Sequence, residues 1–205
     1  MSTTHVDAMR VDDVEPLARL HRQAFPDFFL STLGEPFLRQ FYQGFLGDPA
    51  AVTVVLRDAE GMPCGSVVGT TEPAGFFGRL VRRRWAGFAL AGARAVLSQP
   101  GATPRLVRAL RYRGDAPHDA VGALLSSICL DPSLQGSGEG GRLVAAWEAA
   151  AASSGARSAF LTTDADHNEA VNRFYSRHGW LLHGTYSTRE GRQMNRYMKE
   201  LRQLQ

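Results

Sequence analysis

The stretch Ser126–Leu143 reads S-S-I-C-L-D-P-S-L-Q-G-S-G-E-G-G-R-L and joins a strand-like segment to a helix through a glycine-rich turn. Asp131-Pro132 ends the strand, and the helix is indicated by apolar residues at helical spacing, Leu143, Val144, Trp147 and Ala151. Glycines let backbone amides approach a ligand, and the first amides of a helix lack internal partners. Together with the helix dipole, such amides favour a phosphate or pyrophosphate. A turn with a purely structural role is the alternative at this point.

The glycine spacing alone fits more than one phosphate loop. No Gly-Lys-Ser/Thr follows the glycines, which argues against a P-loop. The run Gly136–Gly141 formally satisfies G-x-G-x-x-G, but a Rossmann fold would open with this unit, and here it follows more than half of the chain. A carboxylate near bound phosphate would repel it, so we expect Glu139 to point outward.

A second segment decides between these interpretations. Residues 167–180 are predicted to form a short helix that ends at a glycine and continues into a strand. Gln135-x-x-Gly138-x-Gly140 resembles the Q/R-x-x-G-x-G/A acetyl-CoA loop of the GNAT acetyltransferase superfamily. Asn168 and Ala170, through Phe174-Tyr175 to Gly179-Trp180, resemble its second conserved block. The order of the two motifs, with one helix and one strand between them, makes the joint resemblance specific over roughly residues 120–200.

The periodicity of the rest of the chain predicts alternating helices and strands. Helices are predicted over 11–24, 36–46, 138–154 and 168–178. Strands are predicted over 51–57, 65–72, 120–130, 157–163, 180–187 and 192–201, and the first two form a hairpin. The resemblance implies the GNAT acyl-CoA acyltransferase fold, of the α/β (α+β) class, with a mixed, mostly antiparallel sheet flanked by helices.

Residues 75–113 are predicted to be a basic helical insertion between the third and fourth strands of that fold. The segment holds nine arginines, no lysine and no acid, so the rest of a chain of net charge +3 carries −6. Three roles stay open: packing on the core or on a second subunit, contact with an anionic membrane surface, and recognition of an anionic acceptor. The arginines considered for the last two roles are Arg79, Arg82, Arg83 and Arg84. No nucleic acid partner is expected, because aromatic residues are not interleaved with the charge.

Length and composition favour one soluble domain over residues 1–205, and the resemblance implies that it is an N-acetyltransferase domain. Hydrophobic residues make up 44% and charged residues 21% of the chain, which is ordinary for a globular protein. We expect no signal peptide and no membrane span. Cys64 and Cys129 are expected to fill the core in a reducing cytoplasm rather than to form a disulfide.

The resemblance implies acetyl transfer from acetyl-CoA to an amine by direct attack. Tyr175 is the expected general acid for the departing thiolate, because a phenol is neutral at working pH. Asn168 is expected to cap its helix and to bind the cofactor. The complete expected cofactor set also contains backbone groups of two strand residues, the loop amides and one aromatic ring: Ile128, Leu130, Gln135, Gly136, Ser137, Gly138, Glu139, Gly140, Gly141 and Phe174.

The general base and the acceptor are not determined by the sequence. Ser126 and Ser127 stand where some relatives carry a carboxylate, and the base candidates are His118, Asp119, Glu72 and Glu35. No metal site is predicted, since the histidines show no ligand spacing. The preferred acceptor is a small primary amine, with an amino sugar or a nucleotide-linked amino sugar first. Transfer to peptide or protein amines, transfer of longer acyl groups, a homodimer and a non-catalytic acyl-CoA sensor are the alternatives.

Overall fold

A mixed sheet of seven strands forms the centre of the computed structural model, which describes residues 4–26, 29–98, 121–188 and 191–202. The strand order is β1-β2-β3-β4-β5-β7-β6, and every neighbouring pair is antiparallel except β4 and β5. The strands are β1 His5–Asp7, β2 Ala51–Arg57, β3 Pro63–Thr70, β4 Ala123–Leu130, β5 Ser158–Asp164, β6 Leu181–Ser187 and β7 Gln193–Glu200. The expected mixed, mostly antiparallel sheet is therefore confirmed.

Seven α-helices are described around this sheet. They are α1 Val14–Ala24, α2 Phe29–Thr32, α3 Glu35–Phe45, α4 Phe76–Arg83, α5 Trp85–Ser98, α6 Glu139–Ser153 and α7 Glu169–Arg177. Short 3-10 turns at Val11–Asp13 and Pro132–Leu134 precede α1 and α6. The predicted helices and strands are present with shifts of a few residues at their ends, whereas β1 and α2 were not predicted.

The alternation of side chains along the central strands creates one core on each face of the sheet. Val55 and Val68 pack with the apolar sides of α1 and α3. Val54 and Val67 face the opposite way and pack with α6 and α7. Helices cover both faces of the sheet at β2 and β3, so most residues of these two strands are buried.

The first part of the expected insertion is helical, as α4 and α5, and it lies between β3 and β4. Phe76 and Leu80 of α4 and Phe88 and Ala91 of α5 are buried in the core formed with α1 and α3. Phe88 stacks edge-on against Phe37 of α3, with ring centroids 4.9 Å apart. One apolar face of the insertion therefore packs on the domain. Four of its arginines lie outside the described residues: Arg105, Arg108, Arg111 and Arg113.

Three of the arginines considered for ligand binding contact the domain itself. Arg83 donates to the buried carboxylate of Asp48, with a distance of 2.7 Å between Nη1 and Oδ2. Arg84 donates to the side chains of two α3 residues, Gln40 and Gln43. Arg79 donates to two carbonyl oxygens of the segment before α4, those of Glu72 and Ala74. These arginines therefore fix the insertion to α3 and to the end of β3.

Candidate active site

The two parallel strands in the middle of the sheet separate at their carboxyl ends. β4 and β5 pair at only two positions, Ala123 with Ala159 and Leu124 with Phe160. The chain continues from β4 into the glycine-rich turn and α6, and from β5 into α7. A gap between the strands therefore opens toward the beginnings of both helices.

Backbone groups of β4 face this gap. The amide of Asp131 donates to the carbonyl oxygen of Cys64 on the β3 side, with a distance of 2.8 Å. Since successive residues of a strand direct their backbone groups to opposite sides, those of Leu130 and Ile128 point toward the gap. Ser126 has no partner on β3, because Ser127 pairs with Val68 and Leu125 with Gly69, so a bulge lies at Ser126.

The turn before α6 contains two glycines with a positive φ, and Gly136 is the first of them, with φ +79°. Gly138 precedes the first residue of α6 with a left-handed backbone, φ +90°. This conformation is strained for residues with a Cβ atom. The amides of three loop residues already donate to loop carbonyl oxygens: Gln135 to Pro132, Ser137 to Leu134 and Gly141 to Gly138. Among the described residues, the amides of Gly136, Gly138 and Gly140 have no such backbone bond, and these are the ones free to bind a phosphate.

The acidic residue in this turn is turned toward the N-terminal segment rather than into solvent. The Glu139 carboxylate accepts a hydrogen bond from the Thr4 hydroxyl at 2.9 Å and pairs with Arg142 Nη1 at 2.8 Å. Arg142 also donates to the hydroxyl and the carbonyl oxygen of Thr4. The neighbouring guanidinium offsets the negative charge of Glu139 at the end of the helix that would receive an anion.

Tyr175 lies on α7 among aromatic rings. Its side chain is 4% exposed, and the rings of Phe174, Trp180 and Tyr197 have centroids 5.2 to 6.0 Å away. Burial alone raises the pKa of Tyr175 above its ordinary value; no hydrogen bond or charge contributes. The phenol is therefore neutral throughout the physiological range.

The expected helix cap at Asn168 is wrong in one respect. Asn168 occupies the N-cap position of α7, but its side chain makes no capping hydrogen bond. Its amide donates instead to the Thr163 hydroxyl at 2.8 Å and to the carbonyl oxygen of Asp164 at 3.1 Å. Asn172, one helical turn later, donates to the same carbonyl and accepts from Tyr197 Oη at 3.1 Å. Both asparagines thus bind the end of β5, and the role of Asn172 was missed at sequence level.

The beginning of α6 and the side of α7 approach each other closely. A Cβ atom built on Gly140 would lie 3.4 Å from the Phe174 ring, and one on Gly141 would lie 2.4 Å from His178 Nε2. The Phe174 and His178 rings are also in contact, with centroids 4.4 Å apart and planes tilted by 43°. Two of the loop glycines therefore serve close helix packing as well as the loop itself. His178 was not among the expected site residues, although its spacing of four from Phe174 places it on the same helical face.

The candidate bases differ in their surroundings. The Glu35 carboxylate pairs with Arg39 at 2.6 Å, and Glu72 is largely exposed with Arg79 at 3.6 Å. His118 and Asp119 lie outside the described residues. Neither of the two described candidates is brought against Tyr175 by any contact in the structure, so the base stays unassigned.

The described residues contain neither a candidate metal site nor a membrane-spanning helix. No group of three or more histidine, cysteine, aspartate or glutamate side chains there could hold a metal ion. None of the helices in that part of the chain has the length and hydrophobicity needed to cross a membrane. Cys64 and Cys129 are free thiols, and burial raises the pKa of both.

Solved structures share this architecture. A structure described as SsHAT aligns with 21% identity and a TM-score of 0.65, covering 97% of this chain and 98% of its own. Ard1 from Thermoplasma volcanium aligns with 11% identity and a TM-score of 0.60, covering 98% and 99%. A mutant of spermidine N-acetyltransferase SpeG from Vibrio cholerae aligns with 14% identity and a TM-score of 0.57, covering 96% and 93%. Identities this low establish the fold alone.

The sequence comparisons establish the family. No curated protein matches the chain significantly. The family model described as acetyltransferase (GNAT) family matches residues 15–180, which include both motifs and most of the sheet. The β4–β5 gap faces the glycine-rich start of α6. Because the family model covers most of the chain, the chain belongs to the GNAT acetyltransferase family.

Proposed function

We propose that this acetyltransferase moves the acetyl group of acetyl-CoA to a primary amine of a small molecule by direct attack. The observation that carries the proposal is the β4–β5 gap, which lies between the α6 amides and the Tyr175 helix. An extended pantetheine arm fits such a gap because β4 presents unpaired backbone groups there, as an edge strand does to an added strand.

The residues on both sides of the gap suit acetyl-CoA. The backbone of Ile128 and Leu130 would bind pantetheine, and the amides of Gly136, Gly138 and Gly140 would bind the pyrophosphate. The Gln135 side chain is exposed and can add a hydrogen bond, while Phe174 would contact the cofactor near Gly140. A main-chain N–H near Ile128 would polarise the thioester carbonyl. The other expected cofactor residues, Ser137, Glu139, Gly141 and Asn168, would shape the loop and the end of β5.

Tyr175 would protonate the thiolate of CoA as it departs. Its buried phenol stays protonated at working pH, which a general acid requires. The bulge at Ser126 turns the β4 backbone beside the gap and would help to shape the acceptor side. The amine must lose a proton before it attacks, directly or through water, and we assign no residue to that step.

An amino sugar remains the preferred acceptor, but fewer arginines are left to support this preference. An amino sugar, which is anionic when it is linked to a nucleotide, was inferred from the arginines of the insertion. Of the four arginines considered for that role, Arg79, Arg83 and Arg84 bind the domain, which leaves Arg82. Contact of Arg82 with an anionic membrane would compete with the same interpretation.

Polyamines and peptide amines are the acceptors to compare. Structures described as spermidine N-acetyltransferase and as Ard1 share the fold, and a chain with net charge −6 outside residues 75–113 could attract a cationic amine. Longer acyl groups remain the alternative donor, because the loop contacts only the CoA end. A non-catalytic acyl-CoA sensor is the alternative of another class.

Two measurements test the proposal. Acetyl-CoA should raise the melting temperature of the purified protein. At one hundred times the dissociation constant, bound acetyl-CoA should add about 2.7 kcal/mol to the free energy of unfolding. A panel of amino sugars, nucleotide-linked amino sugars, polyamines and peptides should then show thiol release with one class. Failure of acetyl-CoA to stabilise the protein refutes both the enzyme and the sensor. Stabilisation without turnover on any amine favours the sensor.

We further propose that the protein acts in the cytoplasm as a homodimer. The free thiols of Cys64 and Cys129 suit a reducing compartment. The edge strand β6 presents Leu181, 73% exposed, and Leu182, 55% exposed, which a second subunit could cover. Light scattering should give twice the mass of one chain, and a monomer at micromolar concentration would refute the dimer.

A further inference from the structure

The site needs α6 and α7 to be held at a fixed spacing, and the sheet does not supply it at this end. The start of α6 and the turn before it carry the amides proposed to bind pyrophosphate, and α7 carries Tyr175. Both helices follow strands that stop pairing after Leu124 and Phe160. Val144 and Trp147 of α6 and Tyr175 of α7 belong to one apolar core, but apolar burial is non-directional and does not fix the direction of the helices.

One steric contact joins the first turn of α6 to the end of α7, where the His178 ring lies against Gly141. His178 Nδ1 lies 2.7 Å from the carbonyl oxygen of Phe174. Because a carbonyl only accepts, Nδ1 carries the proton, and Nε2 is directed to Gly141. The ring cannot turn away without losing that bond and its contact with Phe174. Any side chain at Gly141 would therefore push α7 outward.

A second contact lies about two helical turns further along α6. Lys199 Nζ of β7 pairs with the Glu148 carboxylate of α6 at 2.7 Å and donates to the carbonyl oxygen of His178 at 2.7 Å. Trp180 Nε1, just after α7, donates to the same carboxylate at 2.9 Å. The Lys199 and Glu148 side chains are 24% and 15% exposed, so water screens this pair only partly. These hydrogen bonds and the ion pair connect the carboxyl end of α7 to both α6 and β7.

We propose that His178, Glu148 and Lys199 form a clamp that sets the spacing between the cofactor turn and Tyr175, and that they are positioning residues for acetyl transfer. This inference rests on the proposed function. A gap wide enough for pantetheine leaves the ends of β4 and β5 without hydrogen bonds to each other. The clamp would therefore hold α6 and α7 together where the strands before them are not paired.

The test is a double-mutant cycle on Gly141 and His178. A methyl group at Gly141 would lie about 1 Å inside ordinary contact with His178 Nε2, and a misplacement of that size can lower turnover by about tenfold to a hundredfold. Gly141→Ala should therefore lower kcat and weaken acetyl-CoA binding. The double variant lacks the obstructing His178 ring, so its kcat and its affinity for acetyl-CoA should return to those of His178→Ala alone. Gly78→Ala is the matched control, since a Cβ atom there contacts nothing within 4 Å.

Each outcome decides the proposal. Wild-type activity in Gly141→Ala overturns it, as does a double variant that loses the product of the two single effects. A lowered melting temperature with unchanged kcat at 25 °C also overturns it, since the contact is then only structural. If Gly141→Ala does not fold but the double variant does, a double variant with the kcat and acetyl-CoA affinity of His178→Ala supports the clamp, and lower values overturn it. If neither folds, the Lys199→Met and Glu148→Gln cycle decides, with non-additive loss of kcat expected.

The readouts separate this inference from the proposed function. Dissociation constants for acetyl-CoA, measured by calorimetry, need no acceptor. If the wild-type protein binds acetyl-CoA but acetylates no amine, the proposed function fails, and rescue of acetyl-CoA affinity in the double variant still decides whether the clamp shapes the cofactor site.

Discussion

Replacement of Tyr175 by phenylalanine separates chemistry from packing. The ring is 4% exposed among Phe174, Trp180 and Tyr197, so phenylalanine keeps the apolar contacts. Burial is the only cause of the raised pKa, with no contribution from a hydrogen bond. Removal of the hydroxyl should therefore change the free energy of unfolding by less than about 1 kcal/mol and the melting temperature by less than about 4 °C.

The loss of turnover should be much larger than the loss of stability. A positioned general acid contributes about 10²- to 10⁴-fold, equivalent to roughly 3 to 5 kcal/mol of activation free energy. The assay is thiol release at saturating acetyl-CoA and acceptor, together with the acetyl-CoA dissociation constant from calorimetry. We expect kcat to fall by that factor while the dissociation constant stays within about threefold, because the proposed acid acts only on the departing thiolate.

Tyr197→Phe is the matched control and should show the opposite pattern. Its hydroxyl donates to Asn172 Oδ1 at 3.1 Å, so its loss should cost about 1 kcal/mol of stability and little turnover. The pH profile provides a second check. A pKa above the ordinary value of about 10 keeps Tyr175 protonated, so it should produce no decline in kcat below that pH. Full kcat in Tyr175→Phe would refute the general-acid assignment.

The remaining predictions concern stability and its dependence on pH. Burial lowers the pKa of His21 from 6.5 to about 4. Between these pH values the unfolded chain binds a proton at His21 that the folded chain does not. The stability present above pH 6.5 is therefore lost as the pH falls toward 4. From pH 7 to pH 5 this loss should be about 2 kcal/mol by urea denaturation, and His21→Asn should remove it; equal slopes for both proteins would contradict the assignment. The Arg57 guanidinium pairs with both carboxylate oxygens of Asp13 at 2.7 and 2.8 Å, and both side chains are 5% exposed. Arg57→Met should therefore cost about 3 to 5 kcal/mol, and the double variant with Asp13→Leu should recover part of that cost, whereas an additive loss would show that the two residues act separately. Arg83→Gln should cost about 1 to 2 kcal/mol, because it leaves the buried Asp48 carboxylate without its guanidinium, while Arg82→Gln should leave the melting temperature unchanged; equal effects would contradict the packing role of Arg83.

Local patterns were sufficient for most of the fold. The glycines before Leu143 and the apolar spacing after it predicted α6 within one residue at each end, because capping and amphipathicity act over a few neighbouring residues. β1 was missed because three residues, His5–Asp7, form a strand only by pairing with β2. α2 is a single turn, too short to show a helical period.

The arginines of the insertion show where sequence reasoning stopped. A run with nine arginines and no acid predicts a basic surface, but the partners of Arg83 and Arg84 lie on the segment around α3, more than thirty positions earlier. Part of the positive charge of the insertion is therefore paired with side chains of the domain itself. The same holds for Glu139, whose carboxylate binds Thr4 at the start of the described chain.

The sequence by itself determined the family, and it predicted the chemistry at the cofactor end. The residues Gln135–Gly141 and the helix with Tyr175 are local motifs, and a turn of glycines before a helix exposes amides whatever the rest of the chain does. The family and the fold class follow from these motifs and their order.

Only the tertiary structure decided how these parts are held together. Which loop amides remain free depends on hydrogen bonds within the folded turn, and the β4–β5 gap exists because pairing stops after two residue pairs. His178, Glu148 and Lys199 meet across α6, α7 and β7, and no local pattern records such contacts. The physical reason is that backbone conformation responds to near neighbours, whereas the distance between two helices is set by side chains that are far apart in the chain.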